Sequence, residues 1–290
     1  MWLPRFLVII LIFCTVTACN QVESGVSQQL VVGVVGYGEG DSSLSRYSDL
    51  QTYLGIQLKS IIELEPVYNE IQALDKLAQQ KWDLAFTPPG LTAIAINRHQ
   101  YKAIIPLEGV EELRSAIVVN QDSSLQNIKD LAGKTIALGQ EGSATSYYLP
   151  IYNLYGLALK KVRFSSTPQI SLKWLEQREV DATALSLQEF NQYRPDFPPK
   201  QFRIIDVDAH TIPSGAIVIA DKIKPEQAQV IQNVLAQAPS NIAASANFLP
   251  TEPVPRYEYL TKVIERVIPI SKRIKEQPAL FYDSHKSLAK

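Results

Sequence analysis

From Gln29 onward, apolar runs of strand length alternate with segments whose apolar residues recur every three or four positions. Leu30–Val35, "LVVGVV", reads as a buried strand. The following stretch places Leu44, Tyr47, Leu50 and Leu54 on one helical face, and Gly55 predicts its stop. Further strands are predicted at 56–64, 82–86, 102–107, 114–120, 134–138, 161–165, 180–185, 202–207 and 215–220. Helices fall at 68–80, 90–98, around 125–132, and then at 143–159, 169–179, 225–244 and 255–267. This alternation predicts α/β architecture with mixed, mostly parallel sheets. Two extended pieces, 108–114 and 208–215, interrupt the series. The simplest arrangement is two lobes joined by two crossings: residues 29–112 plus 223–290 as lobe 1, and 113–222 as lobe 2. Residues 247–255, "NFLPTEPVP", read as a Pro-rich loop, and the last five residues as a frayed end.

The composition, 46% hydrophobic and 20% charged over 290 residues, is that of an ordinary globular chain with room for two cores. A formal net charge of -1 and the lack of a Lys/Arg block give no reason to expect nucleic acid. The N-terminus departs from this ordinary picture. Arg5 precedes the apolar run "FLVIILIFCTV", which is too short to span a bilayer but matches the core of a secretory signal. It ends in Val16-Thr17-Ala18-Cys19, which resembles a bacterial lipobox. Residues 1–18 are then a lipoprotein signal, Cys19 is the lipidated first residue, and 19–28 form a polar tether. With Cys14 removed and Cys19 acylated, neither cysteine is available for a disulfide. The expected location is outside the cytoplasm, anchored to a membrane by lipid.

Several motifs fail on inspection. The glycines of "VVGVVGYGEG" (Gly36, Gly38, Gly40) run G-x-G-x-G and lack the dinucleotide spacing, so this stretch reads as a flexible loop at a strand end that lines a cleft, with Tyr37 in it. "AGKT" at 132–135 lacks the upstream glycine of a phosphate loop and opens a strand. His99, His210 and His285 lie in unrelated contexts without metal-ligand spacing. Asp206 and Asp208 lie near His210 along the chain without the spacing of a known relay, leaving a surface or hinge histidine. No catalytic constellation, cofactor site or metal site is argued; the chain reads as a non-enzyme.

One stretch carries chemistry. In Gly139–Tyr148, "GQEGSATSYY", a strand ends at Leu138 and Ser143 stands where a helix N-cap belongs. The first N–H groups of that helix have no intrahelical partner and suit an oxyanion, and Thr145 and Ser146 add rotatable donors. Glu141 is near enough to repel such a ligand. Plain capping explains the same residues equally well.

The run "SLQNIKDLAGKTIALGQEGSATSYYLPIYNLYGL" resembles the second-lobe signature of the phosphonate/phosphite/phosphate-binding proteins of ABC importers. Thr145, Ser146 and Pro150 match the family's hydroxyls and in-helix proline; Ala144 stands where a serine is expected. Upstream, "EPVYNEIQALDKLAQQKWDLAFTPP" resembles the first-lobe run, with Tyr68 at its tyrosine and Thr87 in the loop after its strand. The resemblance implies a two-lobed type II periplasmic binding fold that closes on a small oxyanion: phosphate, phosphite or a simple phosphonate. It implies a ligand site of Ser143, Ala144, Thr145, Ser146, Tyr68, Thr87 and Tyr37, and a monomer that serves a membrane permease and its ATPase. Pro168-Gln169 replaces a family histidine, and Gln188 (or Glu189) and Gly215 stand where aminophosphonate binders carry acids, which disfavours an amine-bearing ligand. A sensor of the same fold that signals to a membrane kinase, or a binder of another small organic solute, is the alternative.

Overall fold

Two five-stranded sheets, each flanked by helices, organise the computed structural model, which describes residues 29–36 and 42–283. The signal segment, Cys19, the tether and Tyr37 lie outside the described residues. The first sheet is built from β1 (Gln29–Val35), β2 (Ile61–Val67), β3 (Leu84–Thr87), β4 (Tyr101–Pro106) and β11 (Ala216–Ala220), in the order β2-β1-β3-β11-β4. The second contains β5 (Ser115–Asn120), β6 (Thr135–Leu138), β8 (Lys161–Phe164), β9 (Ala182–Ser186) and β10 (Phe202–Val207), in the order β10-β5-β9-β6-β8. Both sheets are mixed. β11 runs antiparallel between β3 and β4, and β5 antiparallel between β10 and β9, while β2-β1-β3 and β9-β6-β8 are parallel. Strands β3, β5, β9 and β11 are buried along their whole length, which is why their sequences are unbroken apolar or small runs.

The helices are α1 (Ser42–Ser45), α2 (Ser48–Leu58), α3 (Glu70–Ala78), α4 (Pro89–His99), α5 (Leu149–Asn153), α6 (Pro168–Glu176), α7 (Leu187–Tyr193), α8 (Pro225–Ala236), α9 (Ser240–Ser245) and α10 (Glu258–Val267). The expected stop at Gly55 does not hold. The helical face of Leu50 and Leu54 continues to Leu58, and Lys59 ends the helix in a left-handed conformation with its N–H on the Gly55 carbonyl. The strand expected from Ile56 therefore begins only at Ile61. The helix expected over 143–159 is shorter. It opens with a π-helical turn, Ala144–Tyr148, becomes α5 at Leu149 and ends at Asn153. Ala158–Leu159 instead forms β7, which pairs with β12 (Ala279–Leu280).

The lobe limits also shift. The chain is back in the first sheet at Ala216, ahead of the expected boundary at 223. Nor does the whole C-terminal part return to lobe 1, because β12 joins lobe 2 and the Phe281 N–H donates to the Leu157 carbonyl at 2.9 Å. Between these, α10 presents Leu260, Val263, Ile264 and Val267 on one buried face. That face belongs to a single core cluster holding Leu77, Trp82 and Leu91 of lobe 1 together with Ile117, Leu138 and Tyr147 of lobe 2. The C-terminal segment is thus a strap across both lobes. Tyr257 at its start donates from its hydroxyl to the Ser214 carbonyl of the second crossing at 2.7 Å.

Candidate functional site

A cleft of about 750 Å³ opens where the parallel strands of lobe 2 end, and lobe 1 closes its far side with Glu70 and Pro88–Gly90. The volume lies within the roughly 300–1,000 Å³ typical of ligand clefts. Strands β6, β8 and β9 are neighbours in the sheet, so their carboxyl ends deliver three helix starts to one place. Each start is capped by a hydroxyl. Ser143 accepts from the Ser146 N–H at 3.2 Å, Thr167 from the Ile170 N–H at 3.3 Å, and Ser186 from the Glu189 N–H at 3.0 Å. Ser165, Ser166 and Ser171 line the same space, as do Gln169, Gln188, Gln192 and Tyr193.

At the first start, the π-helical turn bonds from the Tyr148 N–H to the Ser143 carbonyl at 3.1 Å, and from the Leu149 N–H to that of Ala144. The N–H groups of Ala144 and Thr145 have no acceptor among the described residues. The turn is held rigidly. The Ser115 hydroxyl donates to the Thr145 carbonyl, and the Gly139 N–H to the Ser146 carbonyl at 2.9 Å. Ser146 donates its hydroxyl to Ser143 Oγ at 2.7 Å, whereas the Thr145 hydroxyl has no protein partner among the described residues. Partial positive charge from three helix ends therefore collects at the cleft that Ala144 and Thr145 line.

The cleft holds no Lys, Arg or His among its described lining residues; its charged side chains are Glu70 and Glu189. Glu189 closes a capping box, its Oε2 accepting from the Ser186 N–H and hydroxyl, each at 2.8 Å. Burial raises its pKa above the usual carboxylate range, opposed by the Ser186 bonds. Glu141, the acid expected to repel an anion, is not in the cleft. It lies 3.6 Å from Lys275, beside a separate cavity on the outer side of the seam.

Ser143, Ala144, Thr145 and Ser146 all line the cleft. Ala144 is buried in the core cluster shared by the lobes. Tyr68 is exposed just ahead of α3 and is not among the lining residues. Thr87 is fully buried and its hydroxyl is spent, donating to the Ala216 carbonyl at 3.0 Å and sharing a 2.8 Å bond with Thr92 Oγ1. It ties β3 to β11 rather than facing a ligand. The residues not foreseen are Ser165–Thr167, Ser171, Ser186, Gln192, Tyr193 and Glu70. Their signal in the sequence is the repeated placement of hydroxyls directly after an apolar strand, in "FSSTP" and "LSLQE".

His210 sits partly exposed at the second crossing, in keeping with a surface or hinge histidine. Asp208 lies beyond the end of β10, and its Oδ1 accepts from the His210 N–H at 2.8 Å and sits 3.0 Å from Nδ1. The imidazole stacks on Tyr259 of α10 at 4.1 Å. This group braces the second crossing and does not line the cleft.

Two α/β lobes, two crossings and a cleft at the strand ends define a type II periplasmic binding fold. The model of the family described as "ABC transporter, phosphonate, periplasmic substrate-binding protein" matches residues 32–252. The chain belongs to this family of periplasmic substrate-binding proteins. Among solved structures, XAC2383 from Xanthomonas citri bound to ATP is similar at 18% identity and a TM-score of 0.70, over 83% of this chain and 98% of that one. PhnD1 from Prochlorococcus marinus in complex with methylphosphonate is similar at 18% identity and a TM-score of 0.64, over 83% and 99%. The alkanesulfonate-binding protein SsuA from Xanthomonas axonopodis pv. citri bound to MOPS is similar at 16% identity and a TM-score of 0.53, over 88% and 98%. No protein of curated function matches the chain.

Proposed function

We propose that this protein is the lipid-anchored receptor of an ABC importer and that it captures a small phosphorus oxyanion, namely phosphate, phosphite or a simple phosphonate, between its lobes. The observation that carries this reading is the convergence of three capped helix starts on one cleft, with the N–H groups of Ala144 and Thr145 and the Thr145 hydroxyl unpartnered among the described residues. Donors fixed by the fold can hold an anion without a cationic side chain, because they need no reorganisation to point at it. Family membership supports delivery to a permease and its ATPase, and the lipobox-like ending at Cys19 supports an anchor. Ser143, Ala144, Thr145 and Ser146 form the grip.

Thermal denaturation of the full chain tests this. Millimolar phosphate, phosphite or methylphosphonate is expected to raise the melting temperature, since ligand at 100 times its dissociation constant contributes about 2.7 kcal/mol. If none of them shifts melting while a neutral organic solute does, the oxyanion reading is wrong.

A further inference from the structure

The strands of the first sheet share one end, remote from the cleft. There Gln29 of β1 is level with Ile61 of β2, and Leu84 of β3 and Lys102 of β4 are both level with Ile219 of β11. Helix α2 finishes at this end and α8 starts there. Ile56 in the last turn of α2, Ile61, and Val230 of α8 are 68%, 58% and 51% exposed, the highest values among the described large apolar side chains. Val230 shares a groove with Leu30 and Leu58, and Ile61 a hollow with Gln29, so bare aliphatic surface surrounds the point where the chain enters β1. Lysines ring it. Lys102 and Lys222 are paired with Asp221 and Asp83 at 2.8 and 2.9 Å. Lys59, Lys81 and Lys224 are exposed and have no ion-pair partner among the described residues, against Glu63 and Glu226. Lys59 follows α2, where a cation suits the helix dipole, but Lys224 is the N-cap of α8, where it opposes the dipole. Helix stability accounts for neither Lys224 nor three uncovered aliphatic side chains at one end.

We propose that this end of lobe 1 is a foot that rests on an anionic lipid surface. Ile56, Ile61 and Val230 enter the headgroup layer, and Lys59, Lys81 and Lys224 meet lipid phosphates. The inference rests on the lipid anchor at Cys19 proposed above and adds the face that meets the membrane. Gln29 lies ten positions after Cys19, and a chain of that length reaches about 35 Å at most. The anchor therefore holds the foot near the bilayer at a high effective concentration, where contacts too weak to bind a free protein suffice. Aliphatic side chains among lysines supply the two attractions of a peripheral membrane contact, apolar burial and charge. Pro88–Gly90, which close the cleft from lobe 1, follow the opposite end of β3, so the foot leaves the cleft clear of lipid.

The full chain purified from bacterial membranes and reconstituted in phosphatidylglycerol vesicles with brominated acyl chains, which quench tryptophan, tests this. Ile61→Trp places a fluorophore on the foot, and Val207→Trp places one in lobe 2, at a side chain 37% exposed. Relative to the unsubstituted chain, the added emission of Ile61→Trp is expected to shift to the blue and be quenched, and that of Val207→Trp to do neither. Adding Lys81→Glu and Lys224→Glu to Ile61→Trp is expected to remove most of the quenching, since each lysine at an anionic surface contributes about fivefold in binding. Melting curves check that the variants fold, and intact mass reports the lipid on Cys19. An acylated chain without quenching at Ile61→Trp overturns the inference and leaves the anchor standing. A blue shift without quenching, in a chain that sediments as a dimer, puts a second copy on this end and also overturns it. Quenching that survives both glutamates overturns the role of the lysines. A chain that carries no lipid on Cys19 and does not float with the vesicles removes the anchor and the inference together.

Discussion

Gly90 of α4 and Gly142 of the loop before Ser143 meet across the lobe seam so closely that a Cβ on Gly90 would lie 2.0 Å from the Gly142 carbonyl oxygen and 2.7 Å from the Ala144 N. Gly142 itself adopts φ +113°, and a Cβ there would lie 2.6 Å from that of Glu70. The start of α4 therefore rests on the backbone of the proposed grip. Gly90→Ala is expected to push the lobes apart at this point and cost about 1–3 kcal/mol of stability. Thermal melting measures it; an unchanged melting temperature would mean that the seam is loose in solution.

Thr145 and Ser146 separate binding from folding. The Thr145 hydroxyl has no protein partner among the described residues, while Ser146 is bonded to Ser143. Thr145→Val is therefore expected to weaken oxyanion binding by about 1–3 kcal/mol with little change in melting temperature. Ser146→Ala is expected to weaken binding and also loosen the turn. Titration of both variants beside their melting curves distinguishes the two effects.

Glu189 gives a pH signature. Burial raises its pKa in the folded protein, so its contribution to stability is present below the unfolded carboxylate value and is lost as pH rises through the folded one. Glu189→Gln removes the cost of the charge while keeping an oxygen for Ser186. Relative to wild type, the variant is expected to be more stable at about pH 8 than at about pH 4. Chemical denaturation at the two pH values checks the sign, and a variant that gains more at the acidic end would contradict the burial argument.

The strap tests whether the lobes share one core. Leu260 and Val263 of α10 are buried in the cluster that spans both lobes. Leu260→Ala is expected to cost about 2–5 kcal/mol. Because the cluster is shared, melting should remain one transition seen equally by probes in each lobe. Two separated transitions would show that the lobes fold independently.

Much of this architecture is written locally. The apolar runs of β1, β3, β5, β6, β9 and β11 mark buried strands, and the Ser143 cap follows from a hydroxyl placed between Leu138 and a periodic run. What could not be read locally depends on partners far along the chain. Thr87 stands in the loop position that the resemblance gives to the ligand, but its hydroxyl is taken by Thr92 and by the Ala216 carbonyl, and the second contact exists only once β11 inserts beside β3. Ser165–Thr167 and Ser186–Glu189 join Ser143–Ser146 because β8, β6 and β9 are adjacent, a sheet order no short window encodes. The two-residue β7 and β12 exist only through each other.

Native mass spectrometry of the full chain purified without denaturation tests the central claim most directly. A bound phosphate, phosphite or phosphonate is expected as a discrete mass increment, lost on gentle activation and diminished in Thr145→Val. A neutral or cationic solute held at one equivalent instead, with no phosphorus oxyanion retained or exchanged in, would contradict the account.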